Sequence, residues 1–169
     1  MARIAVLIGD QFEDVEYSEP ADKFRESGHQ LVHVGIEKGT DVSGKKKGTR
    51  VHIDESVADT SPADFDALFI PGGHSPDNLR AHDEAVSFAG SFMDSGKPVF
   101  TICHAPQLLI TAQKLKNRKI TGWKSIIQDI KNSGAEFVDK EVVVDGNLVS
   151  SRRPSDIPAF VRTALDKLH

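Results

Sequence analysis

Cys103 is the one cysteine of this 169-residue chain, and it stands where the apolar run Val99 to Ile102 gives way directly to a helical stripe. In the segment VFTICHAP, residues 99 to 106, this is the wiring of a nucleophile elbow. A tight strand-to-helix turn exposes the side chain at the carboxyl edge of a sheet. The following helix N-terminus favours thiolate over thiol, so the thiol pKa is expected below its ordinary value of about 8.5. Backbone amides of the same turn can stabilise an oxyanion. The elbow usually has small residues two positions to either side, here Thr101 and Ala105, so the match is partial. The competing reading is a small buried hydrophobe, common for free cysteine. His104 beside the thiol favours chemistry.

A thiol nucleophile generally needs a base. The histidines are His29, His33, His52, His74, His82, His104 and His169. After Cys103 only His104 and His169 remain, so a triad completed by a later histidine has no supplier, which argues against glutamine hydrolysis. His29, His33 and His52 fall on or beside strands away from the carboxyl edge, and His82 suits a helix start. His74 follows Gly72 and Gly73 at the end of a strand on the same edge as Cys103, where it can line a pocket. The segment QFEDVE, residues 11 to 16, brings Glu13, Asp14 and Glu16 to that edge. A carboxyl group there can share a hydrogen bond with the thiol or orient His104. Spacing does not choose between Glu13 and Glu16, and a solvated acidic helix start is the alternative. GTDVSGK, residues 39 to 45, matches the first part of a phosphate-binding loop, but Lys46 stands where Ser or Thr should hold magnesium. The residues Val42 to Ile53 read as a hairpin tipped by Lys45 to Lys47.

These groups need a scaffold, and short apolar runs alternating with amphipathic stretches supply it. Ile4 to Ile8, Leu31 to Ile36, Ala67 to Ile70 and Pro98 to Ile102 read as buried strands. Tyr17, Ala21 and Phe24 mark a helix with Pro20 in its first turn and Gly28 at its stop. A helix starting near Asp83 carries Ala85, Phe88, Ala89 and Phe92, and Leu108, Ala112 and Leu115 mark another. Ser125 is expected to cap a helix carrying Ile126, Ile127 and Ile130. Glu141 to Val144 and Leu148 to Ser151 form a hairpin, and Ile157 to Leu168 a closing helix. The order implies one α/β domain over residues 1–169, a mostly parallel sheet with helices on both faces and ligands at strand carboxyl ends.

Lys plus Arg number 21 and Asp plus Glu 25, a net charge of −4, which argues against a nucleic-acid binder. One cysteine allows no intrachain disulfide or multi-cysteine metal cluster and suits a reducing compartment. The run Ile4 to Ile8 is too short for a signal-peptide core or a membrane span, so a cytoplasmic location without membrane contact is expected.

Taken in order, DQFEDVEY at 10 to 17, PGGHSPDNLR at 71 to 80, GKPVFTICHAPQLL at 96 to 109, GAEFVDKEVVVD at 134 to 145 and SRRPSDIPAF at 151 to 160 resemble the PfpI/ThiJ family of the class I glutamine amidotransferase-like superfamily. The family includes intracellular proteases, protein deglycases and cofactor-free glyoxalases. The resemblance implies a flavodoxin-like three-layer sandwich with Cys103 as nucleophile, His104 as adjacent base or proton shuttle, and Glu16 hydrogen-bonded to the thiol. Glu13 matches the neighbouring acidic position. Gly72, Gly73 and the amides around Cys103 to Ala105 match the oxyanion-binding region. Asp77 falls where the protease-like branch has a glutamate supplied across a subunit interface, and it is one methylene shorter. Ala105 replaces the usual glycine, which predicts a narrower pocket.

The implied activity is a stress-protective hydrolase or lyase of small reactive carbonyls such as methylglyoxal, and of their early adducts on proteins. It would need no metal or organic cofactor and would act as a homodimer or higher homo-oligomer. A cysteine peptidase and a non-enzymatic redox sensor or holdase are the competing expectations.

Overall fold

The computed structural model describes residues 1–46 and 48–169; Lys47, expected at the hairpin tip, lies outside the described residues. Apolar β1 (Arg3–Leu7) leads into α1 (Asp14–Glu26), which ends where Gly28 adopts φ +85°. β2 (Gln30–Gly35) follows, then the hairpin strands β3 (Asp41–Ser43) and β4 (Arg50–His52), and short β5 (Glu55–Ser56). β6 (Ala67–Ile70) runs to α2 (Ser75–Leu79) and α3 (Asp83–Asp94). β7 (Val99–Ile102) feeds α4 (Pro106–Thr111), and β8 (Lys119–Ile120), α5 (Ile127–Asn132) and β9 (Glu136–Phe137) follow. β10 (Val143–Asp145), β11 (Leu148–Ser151) and α6 (Ile157–Lys167) close the chain.

Seven strands form one sheet in the order β10-β11-β7-β6-β1-β2-β5, parallel throughout except for the β10–β11 hairpin. Strands buried on both faces read as unbroken apolar runs, and alternate residues serve opposite faces. Ile4, Val6, Phe69 and Phe100 pack with Phe24 of α1 and Phe160 of α6. Ala5, Leu7, Leu68 and Ile70 pack with Phe88 and Phe92 of α3 and Leu108 of α4. The result is the flavodoxin-like three-layer sandwich.

The chain leaves β1 toward β2 on one side and toward β6 and β7 on the other. The carboxyl ends of β1, β6 and β7 therefore border the crevice where such sheets hold ligands.

Three local expectations need correction. Pro20 lies inside α1 and not in its first turn; its missing N–H leaves the Glu16 carbonyl without the usual donor four residues on. α4 ends at Thr111, so Leu115 is buried from the following loop and is not on that helix. Ser125 sits within a 3₁₀ turn, Lys124–Ile126, and caps nothing. The short α2 and the two-stranded parallel sheet β8–β9 were not anticipated, since five and two residues are too few to show a period.

Candidate active site

Cys103 follows β7 directly and adopts φ 62°, the left-handed region that L-residues other than glycine rarely occupy. Neighbouring strands and loops fix that conformation. Its N–H donates to the Ser151 carbonyl at 3.0 Å, and its carbonyl accepts from the Trp123 N–H at 2.9 Å. The turn sets the side chain beside Gly72 and Glu16, with the residue only 7% exposed.

Three elements meet the sulfur. From its own turn, His104 Nδ1 lies 3.3 Å from Sγ. From α1, Glu16 lies against the thiol and the Gly72 amide at 1% exposure, with Oε1 lacking a hydrogen-bond partner among the described residues. From the loop after β6, the Gly73 N–H faces the sulfur, as does the N–H of His104.

Glycine is required at both positions of that loop. A Cβ on Gly72 would meet Glu16 Oε1, the Ile102 carbonyl and Cys103 Cβ. Gly73 has φ +81°, and a Cβ there would press on the backbone of Gln11, Phe12 and Glu13. This contact carries the bridge between Phe12 and Gly73, which ties the end of β1 to the end of β6.

Electrostatics at the site run against the expected thiolate. Burial, then the adjacent Glu16 carboxylate, push the Cys103 thiol up, and the two amides only partly oppose them. Burial likewise raises the Glu16 carboxyl to about 7, with the Glu13 charge adding and the thiol, Lys45 and Gly72 amide opposing. The helix-terminus argument fails because α4 is a six-residue helix, whereas the carboxyl is in contact with the sulfur. Glu16 and the thiol are thus joined by a hydrogen bond, and burial disfavours the ionised form of each. Burial, followed by the charges of His74 and Lys45, keeps the His104 pKa below its ordinary value, with Asp77 opposing them.

Of the residues singled out from sequence, the structure brings together Cys103, His104, Glu16, Gly72 and Gly73. Glu13 is at the edge of the group, its carboxylate 3.4 Å from Lys45 Nζ. His74 begins α2, its N–H donating to the Gln11 carbonyl, and its ring is near enough for its charge to bear on His104.

One assignment changes. Ala105 donates its N–H to the Ile102 carbonyl at 3.1 Å, leaving no donor for an oxyanion. Its methyl packs into the core on the α3–α4 side and does not narrow the thiol pocket. Asp77 is clasped by Arg80, at 2.7 Å and 3.0 Å, and is not hydrogen-bonded to His104 within the chain. It lines a separate cavity of ≈ 670 Å³ with Asp10 and His82.

Residues that sequence reasoning passed over complete the surroundings. Ser125 Oγ lies 3.3 Å from His104 Nε2, and the Trp123 ring is 6.3 Å from the imidazole, centroid to centroid. Lys45 is carried in by the β3–β4 hairpin. That hairpin docks through Asp14, which accepts from the N–H groups of Lys46 and Thr49 at 3.0 Å and 3.2 Å and leaves room at Gly44 for no Cβ. The phosphate-loop reading of residues 39 to 45 ends here, because Gly44 faces a carboxylate. Among the described residues, no group of three or more His, Cys, Asp or Glu side chains could hold a metal ion. Nor is any helix long and apolar enough to cross a membrane.

The chain is similar to known proteins over nearly its whole length. The chain is 55% identical to protein/nucleic acid deglycase 2 of Escherichia coli over 164 residues, 96% of this chain and 95% of that one. It is 54% identical, over the same shares of both chains, to general stress protein 18 of Bacillus subtilis. A crystallised two-domain protein of Anabaena variabilis, containing DJ-1/ThiJ/PfpI-like and ferritin-like domains, superimposes with a TM-score of 0.97 at 34% identity. That match covers 99% of this chain and 48% of that one. The DJ-1/PfpI family description itself matches residues 2–167, so the strained cysteine, its histidine and the buried glutamate belong to a member of the DJ-1/PfpI family.

Proposed function

We propose that this protein is a cysteine-dependent, cofactor-independent hydrolase of methylglyoxal, glyoxal and their early adducts on proteins, acting in the cytoplasm as a homodimer or larger homo-oligomer. The observation that carries the reading is a nucleophile flanked on two sides by proton carriers, Glu16 near pH 7 and a neutral His104. Moving a proton between adjacent carbons needs a group that both gains and loses it near the working pH. A deglycase name on a relative 55% identical agrees. That name also includes nucleic acids; with a net charge of −4, an adduct on a free nucleotide fits this chain better than a bound duplex.

Sγ adds to the aldehyde carbon while its proton passes to Nδ1 of His104, giving a thiohemiacetal whose oxygen meets the Gly73 and His104 amides. Ionised Glu16 removes the proton from that carbon while His104 gives the thiol's proton to the neighbouring carbonyl oxygen; the resulting enediolate then takes the proton back from Glu16 on the neighbouring carbon, forming a thioester. Water then cleaves the thioester, releasing the 2-hydroxy acid and restoring the thiol. Overall, methylglyoxal and one water become lactate. The test is lactate formation from methylglyoxal by wild type and Cys103→Ser, with peptide cleavage followed in the same tubes. Lactate from wild type alone, without cleavage, is expected. Cleavage without lactate would make the protein a peptidase, and neither would favour a sensor or holdase.

A further inference from the structure

We propose that Ser125 is the positioning residue for His104, so that Cys103, His104 and Ser125 form one hydrogen-bonded line in which a hydroxyl stands where hydrolase triads place a carboxylate. Both ring nitrogens are occupied, Nδ1 by Sγ at 3.3 Å and Nε2 by Ser125 Oγ at 3.3 Å. One imidazole held at both ends has a fixed plane, and the two partners decide which nitrogen carries the proton. To take the thiol proton, Nδ1 must present its lone pair to Sγ, which places the ring proton on Nε2, donated to Oγ. When the thiol proton arrives on Nδ1, both nitrogens carry hydrogen and Oγ still accepts. If the Nε2 proton then leaves through exposed Ser125 to solvent, the other tautomer remains, and the hydroxyl turns to donate to Nε2. A carboxylate serves only the first two states. The hydroxyl serves all three, as repeated proton pick-up and release by one imidazole requires. Asp77 is held by Arg80 and makes no such contact within the chain.

The test does not depend on the carbonyl activity, although the inference rests on that reading for its part in turnover. Iodoacetamide alkylation of Cys103 is followed against pH in wild type, Ser125→Ala, Ser125→Thr and Asp77→Asn, beside lactate formation. His74, Lys45 and Asp77 face the imidazole, and Glu16 faces the thiol. All four are retained in the Ser125 variants, so a shift there reports Ser125. Losing one neutral hydrogen bond predicts alkylation at pH 7 and kcat about five- to tenfold lower in Ser125→Ala, with KM within about twofold and the alkylation profile moved to higher pH. Ser125→Thr restores both. Thermal midpoints should agree, since Ser125 is exposed. A Ser125→Ala alkylation profile superimposing on wild type overturns the proposal, as does a larger effect from Asp77→Asn. A shifted profile in a protein that makes no lactate leaves the proposal standing and removes only the carbonyl reading.

Discussion

Replacing Glu16 by Gln should stabilise the protein above pH 7 while disabling it. The carboxyl is 1% exposed and its pKa stands near 7 in the fold, against 4.5 for a free glutamate. Between those two values the folded chain holds more protons than the unfolded one, so this group makes stability fall as pH rises through the window. The full cost, reached above pH 7, is about 3 kcal/mol. Below pH 4.5 the carboxyl is neutral in both states and the cost vanishes. Glutamine keeps the shape and removes the charge, but leaves an amide donor beside the sulfur, which costs about 1 kcal/mol. The net gain is about 2 kcal/mol at pH 8, which for a chain of this size raises the melting midpoint by about 4–8 °C.

Scanning calorimetry of wild type and Glu16→Gln at pH 8 and pH 4 checks this, with lactate formation measured alongside. The expected result is a higher midpoint for the variant at pH 8, a midpoint lower by about 2–4 °C at pH 4, where only the amide cost of about 1 kcal/mol remains, and turnover reduced at least about a hundredfold. A gain of equal size at both pH values would show that buried charge is not its source. A loss at pH 8 would refute the reasoning outright.

Gly73→Ala should cost about 2–4 kcal/mol in urea unfolding at pH 7, because its φ of +81° and the Gln11 and Phe12 backbone leave no room for a methyl; an unchanged urea midpoint would contradict the close approach of β1 and β6. Asp14→Asn should cost about 1–3 kcal/mol at pH 7, since a carboxylate accepting two amides from the hairpin becomes an amide. Although burial raises the Asp14 pKa, those amides hold it below the ordinary value, so its stabilisation is present above about pH 4 and lost as pH falls. The two proteins should therefore draw together in urea as pH falls below about 4.

The strands and their order of use were legible because a parallel strand buried on both faces is an unbroken apolar run, and Val99 to Ile102 ending at Cys103 shows its role within eight residues. Cys103, His104 and the two glycines were legible for the same reason: each is set by a strand end. Glu16 and Glu13 could not be separated by spacing, because only the pitch of α1 against β6 turns one toward the sulfur and the other toward Lys45. Ser125 was hidden because a serine ahead of an apolar stripe looks like a helix cap, and only the hydrogen bond from Trp123 to the Cys103 carbonyl brings its turn to the imidazole. The thiol pKa was misjudged because a helix terminus is visible in sequence, whereas the burial of a carboxyl 87 residues away is not.

The site concentrates costs that the rest of the fold must offset. A left-handed cysteine carries about 1–3 kcal/mol of strain, and the raised Glu16 a comparable amount. Their own contacts relieve this only in part, since Glu16 Oε1 lacks a hydrogen-bond partner among the described residues and the sulfur is nearly out of water. What holds them is the backbone on either side. Ser151 and Trp123 satisfy the cysteine's own N–H and carbonyl, so relaxing φ would break two hydrogen bonds; Phe12 against Gly73 and Asp14 against the hairpin fix the opposite wall. With those bonds holding the geometry, the amides of Gly73 and His104 remain directed at the sulfur, beside which the thiohemiacetal oxygen forms. The destabilisation is thus confined to groups whose proton affinity does the chemistry, and substitutions that relieve it should gain stability at the expense of turnover.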